Sequence, residues 1–77
     1  MEQSLASIRP GQMMTVGRIG CAPALGRRLR QLGLVPGTRV CCRYRSPGGD
    51  VYALELRGTV LAIRRRDLRA IQAWRVL

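Results

Sequence analysis

The chain is 77 residues long, carries a net charge of +10, and is 47% hydrophobic against 23% charged. That length admits one domain, residues 1–77, with an economical core and excludes a large enclosed active site, while the apolar share excludes a disordered tail. No uncharged apolar run reaches bilayer-spanning length, and Met1-Glu2 opens without a basic stretch leading into an apolar one, so neither secretion nor membrane insertion is expected.

Ser4 to Ile8 predicts one helical turn capped by Ser4, and Arg9-Pro10-Gly11-Gln12 a turn with proline and glycine at its centre. Met13 to Ile19 reads as a strand, with Met14, Val16 and Arg18 on one face against Met13, Thr15 and Gly17 on the other. Gly20 ends it. Ala22 to Leu32 is the one helix expected: Pro23 suits its first turn, and Ala22, Leu25, Leu29 and Leu32 make an inward stripe. Gly33 is placed to take a left-handed conformation that folds Leu34 back on Leu29, with Arg27, Arg28 and Arg30 near the negative end of the helix dipole.

Val35-Pro36-Gly37-Thr38 repeats the earlier turn chemistry and launches a second strand, Arg39 to Arg45. Its alternation sends Val40, Cys42 and Tyr44 inward and Arg39, Cys41, Arg43 and Arg45 outward. A turn over Ser46 to Asp50 leads into Val51 to Arg57, which offers Tyr52, Leu54 and Leu56 to the core, and Gly58 permits a tight reversal into Thr59 to Ile63. Arg64 to Ala70 reads as a single helical turn, and Ile71 to Val76 as a last strand able to pair with the first. The expected fold is mainly β, an SH3-like small barrel of about five antiparallel strands. One α-helix lies between the first and second strands, and a short helical turn precedes the last.

Catalysis lacks its parts. The chain has no histidine, and its four acidic residues, Glu2, Asp50, Glu55 and Asp67, are scattered over different elements without forming an acid–base pair. Neither a lysine-bearing phosphate loop nor a nucleophile elbow is present. Three cysteines, two of them adjacent, suit a reducing cytosol rather than a disulfide framework. Consecutive Cys41 and Cys42 point to opposite faces of a strand, so Cys42 reads as core, Cys21 and Cys41 as incidental thiols, and no metal or cofactor is expected.

All fourteen basic residues are arginine. Two readings stand: an anionic partner, whether nucleic acid, membrane or acidic protein, or a generally solvated basic surface. The Arg64-Arg65-Arg66 run carries the same pair of readings. If Ile71 and Ala73 face inward, Trp74 faces outward beside Arg75, and aromatics with arginines are the types that anchor protein interfaces. The plainer alternative has Trp74 cap the open end of the barrel.

The residues Leu5, Ile8-Arg9-Pro10-Gly11, Arg28-Leu29-Arg30-Gln31-Leu32-Gly33-Leu34-Val35-Pro36-Gly37, Arg57-Gly58 and Leu61-Ala62-Ile63-Arg64 form a recognisable series, closed by Leu68, Ile71 and Ala73. Almost end to end, it resembles the FeoA family of small SH3-like proteins associated with the bacterial ferrous-iron transporter FeoB. The resemblance implies a cytosolic accessory role in Fe(II) uptake, with the barrel docked on the GTPase-bearing cytoplasmic part of FeoB and so held at the inner membrane. Arg27 and Arg30 would then meet an acidic face of that GTPase domain, and Trp74 with Arg75 would anchor the contact. High positive charge and adjacent cysteines depart from the usual family pattern. Two rival readings remain. A basic barrel binding RNA or ribosomes would lack a stacking platform, because the alternation buries Tyr44 and Tyr52. A detached module resembling the C-terminal domain of metal-dependent repressors would lack a helix-turn-helix.

Overall fold

Ser4 opens the first turn by chemistry visible in the sequence: its Oγ accepts the Ala6 N–H at 3.1 Å, and the 3-10 turn Leu5–Ser7 that follows buries Leu5. The computed structural model describes residues 2–76. Ahead of the turn, Glu2–Ser4 forms a short strand, β1. Apolar alternation could not reveal it, since all three residues are polar.

At Arg9–Gln12 the Gln12 N–H donates to the Arg9 carbonyl at 2.9 Å, and Gly11 takes a φ of +84°. Strand β2 runs over Met13–Ile19 and buries Met14 and Val16. Arg18, expected beside them, is exposed: the pairing register with the last strand shifts between Val16 and Ile19, which breaks the period-two alternation.

Helix α1 covers Pro23–Gln31, with Ala22 and Leu32 as its caps. It ends as expected, on Gly33 at φ +99°, with the Leu34 N–H donating to the Leu29 carbonyl at 2.9 Å. The inward stripe is narrower than its spacing suggested. Leu29 and Leu34 are buried and Leu25 is half-buried, but Ala22 is exposed and Leu32 is 43% exposed. Within this nine-residue helix only Gly26 and Leu29 are buried, about one turn, so its two ends overhang the core.

The remaining elements are β3 (Arg39–Arg45), β4 (Val51–Leu56), β5 (Thr59–Arg64), α2 (Arg65–Leu68) and β6 (Ile71–Arg75). Arg57 at φ +49° and Gly58 at φ +77° make the left-handed pair that joins β4 to β5 tightly. All strand pairs are antiparallel, in the order β1-β6-β2-β3-β4-β5. Six strands therefore stand where about five were expected, and β1 and β5 are the unpaired edges of an open, SH3-like sheet.

One interior unites the fold: Leu29 from the helix and Leu54 and Ile63 from the hairpin belong to the same buried cluster as Leu5, Met14 and Ile71. Each fully buried leucine or isoleucine contributes about 1.5–3 kcal/mol through lost apolar hydration.

Tyr44 is the main correction to the strand pattern. Cys42 lies opposite Leu54, yet Tyr44 lies opposite Ala53, so Arg43 is an extra residue in β3. This bulge reverses the parity beyond it. Tyr44 turns outward and is 62% exposed, while Arg45 comes to the inner side opposite Tyr52.

Candidate functional site

Strand alternation and register place a transverse row, Glu2, Trp74, Thr15 and Arg39, across β1, β6, β2 and β3 on the outer face. Trp74 remains 41% exposed, and the Cζ3–Cη2 edge of its indole packs against Gly17. A Cβ on Gly17 would come within 2.4 Å of Cζ3 and 2.6 Å of Cη2, so a residue without a side chain is what lets that edge of the indole approach β2.

Arg75 is exposed but opposes the buried Met14, so it leaves the strand on the other face from Trp74. Arg27 and Arg30 are exposed on α1 and, three residues apart, share one side of the helix. The four residues singled out from the sequence are therefore all at the surface but spread over three places: the outer sheet face, the end of β6, and α1.

A denser group gathers around α2. Arg64, Arg65, Arg66 and Arg69 line one cleft with Asp50 and Val51. Arg65 and Arg69 continue into a second, lined also by Arg9, Arg45, Ser4 and Ser7. Arg45 is fixed there: Nε donates to the Ile8 carbonyl at 3.1 Å, Nη2 donates to the same oxygen, and the guanidinium carbon sits 4.6 Å from the centre of the Tyr52 ring. Tyr52 in turn donates its hydroxyl to the Ala6 carbonyl at 2.7 Å, tying the β3–β4 hairpin to the N-terminal turn. The only ion pair among the described residues is Arg43 with Glu55, at 3.1 Å. The sequence signalled the 64–66 run but not that Arg9, Arg45 and Arg69 join it, nor that Tyr44 is exposed.

Burial pushes the Cys42 thiol above its ordinary pKa, the Arg45 charge opposing and Cys41 adding to the rise. Burial likewise raises Cys21, with the Asp67 charge as a second cause. Among the described residues no three His, Cys, Asp or Glu side chains come together as a metal cage would require. A groove between α1 and β5 is lined by Leu25, Leu29, Leu32, Leu61 and Ile63 together with the charged Arg28, Arg64 and Asp67.

Comparison with known proteins bears on all of this. The chain is similar to the FeoA protein of Chlorobium tepidum, whose solution structure superposes with a TM-score of 0.94 at 28% identity, covering 97% of this chain and 71% of that one. It is similar also to a FeoA-like protein of Clostridium acetobutylicum, with a TM-score of 0.87 at 26% identity, covering 99% and 88%. A manganese-dependent transcriptional repressor shares the fold alone, with a TM-score of 0.85 at 18% identity over 97% of this chain and 42% of that one. No curated protein matches the sequence. The family profile described as FeoA domain matches residues 3–73, from β1 into β6, and the chain accordingly belongs to the FeoA domain family, part of ferrous-iron transport systems.

Proposed function

We propose that this protein is a cytosolic accessory subunit of ferrous-iron uptake that docks on the cytoplasmic GTPase domain of a FeoB-type transporter. Membership of the FeoA domain family is the observation that carries the reading. No helix among the described residues is long and apolar enough to cross a membrane, so in this reading the transporter holds the barrel at the inner membrane.

Trp74 supplies the anchor. It combines a large apolar area with an indole edge already packed against Gly17, so less rotamer freedom is lost on docking. Arg27 and Arg30 on α1 meet acidic side chains of the GTPase domain and act mainly on the rate of encounter. Arg75, directed to the other face, serves as a flanking cation rather than a partner of the indole.

The test is retention of the purified protein on an immobilised FeoB cytosolic domain. Trp74→Ala is expected to weaken retention by more than about 1 kcal/mol, and Arg27→Gln with Arg30→Gln to steepen its loss with salt less than the wild type. Equal retention of Trp74→Ala and wild type would remove the anchor, and no retention of the wild type would remove the docking itself.

A further inference from the structure

We propose that the arginine-lined end of the barrel, together with Tyr44, is a binding site for single-stranded nucleic acid. The two clefts around α2 adjoin through Arg65 and Arg69 and together are lined by six arginines, Arg9, Arg45, Arg64, Arg65, Arg66 and Arg69. One carboxylate, Asp50, also lines the first cleft, and none of the six arginines takes part in an ion pair among the described residues. Like charges held this close repel one another in the free protein, and a ligand with regularly spaced negative charges relieves that repulsion while releasing its own counterions.

Charge alone would suit any polyanion; the aromatic decides between them. The bulge at Arg43 turns Tyr44 outward, opposite Ala53, whose partner on β5 is Ala62. Both neighbours carry only a methyl group, and the tyrosine stays 62% exposed. Val51, two residues from Ala53 on the same face, forms the floor of the first cleft opposite Arg64. The open tyrosine is thus a diagonal neighbour of Val51, just outside the cleft that Val51 lines. An aromatic platform beside a row of guanidinium groups is what unpaired bases and their backbone require, stacking supplying the contact and arginine the charge. An acidic peptide would use the arginines but has no need of the exposed ring, and a paired duplex has no free base to stack on it.

Arg45 contributes pre-organisation. Its double donation to Ile8 and its place over Tyr52 fix one cation on the cleft wall before any ligand arrives, whereas Arg64, Arg65 and Arg66 are exposed and adjust to the strand. The site shares no residue with the Trp74 face or with Arg27 and Arg30, so it stands or falls separately from transporter docking.

The experiment measures fluorescence anisotropy of a labelled single-stranded RNA of mixed sequence, about 12 nucleotides long, over a range of salt concentrations. Wild type is expected to bind with a salt slope of about −3, near 0.7 per phosphate engaged. Arg65→Gln and Arg69→Gln are each expected to shallow that slope by about 0.7, while Arg57→Gln, at the opposite end of the β4–β5 hairpin, leaves it unchanged. Tyr44→Ser is expected to weaken binding about tenfold and Tyr44→Phe to restore it. The proposal is overturned if the wild type does not bind, if Arg57→Gln acts as strongly as Arg65→Gln, which would mean diffuse charge only, if Tyr44→Ser is silent, or if polyglutamate displaces the RNA as well as unlabelled RNA does.

Discussion

Trp74 and Tyr44 both stand on the outside of the sheet, and the two are held in opposite ways. Beside Trp74 is a glycine, so the Cζ3–Cη2 edge of the indole packs against β2 and the residue hides more than half of itself. Beside Tyr44 are alanines, long enough to deny it a niche and too short to cover it, so the ring stays open. How much of an exposed aromatic is available is therefore set by the neighbours' missing atoms rather than by the aromatic itself. A seated ring suits a protein interface that needs one fixed anchor, and an open ring suits a ligand that brings its own flat face.

The sharpest way to break this contrast is to fill the niche. Gly17→Ala is expected to cost about 1–3 kcal/mol, because the new methyl group collides with the Cζ3–Cη2 edge of the ring and also approaches the Gln72 carbonyl. The chain has one tryptophan, so a shift of its fluorescence toward that of exposed indole should accompany the loss, measured with denaturant unfolding. In the Gly17→Ala, Trp74→Ala double variant most of that cost should vanish; additive costs would mean that the ring does not rest on Gly17.

The hairpin that carries Tyr44 depends on the link from Tyr52 to Ala6. Tyr52→Phe is expected to lose about 1 kcal/mol in thermal or denaturant unfolding, since it leaves a part-buried carbonyl without its donor. An unchanged stability would show that water replaces the hydroxyl at no cost.

Cys42 sits two residues before Tyr44 and titrates with the core. Its folded thiol pKa lies above the ordinary 9.0, so the folded state holds the proton more tightly than the unfolded chain. Stability is then fully present below pH 9.0 and falls as pH rises through the folded value, because only the unfolded thiol readily ionises. Unfolding curves at rising pH should show this decline, and Cys42→Ala should flatten it.

Smallest of all should be Tyr44→Ser, at under about 0.5 kcal/mol of stability, because an open ring contributes little to the fold. A larger loss would mean that the ring is covering Ala53 and is structural, bringing the two aromatics closer in role than their exposure implies.

Local chemistry made most of the framework legible. Pro10 with Gly11, Gly33 after the helix, and Arg57 with Gly58 each mark a turn through backbone conformations that few residues tolerate, and the structure uses all of them. Strand β1 was not legible because its three polar residues pair by backbone alone. Tyr44 misled because a bulge leaves no trace in an alternating pattern: the parity change arises in the partner strand's register. Leu32 misled because helical spacing gives direction but not distance from the sheet. Of the surfaces, the outward position of Trp74 followed from Ile71 and Ala73 facing inward, while its glycine seat did not.

The order of elements after β1, the turn positions and the apolar face of β4 were determined by the sequence itself, because propensity, glycine conformation and side-chain period act within a few residues. Tertiary structure alone decided which arginines became neighbours and which aromatics stayed open. Arg9, Arg45 and Arg69 are far apart along the chain and meet only because the 3-10 turn, the β3–β4 hairpin and α2 converge at one end of the sheet. Charge gathered in this way depends on strand register and on a single inserted residue, and neither is encoded in the spacing of any one segment.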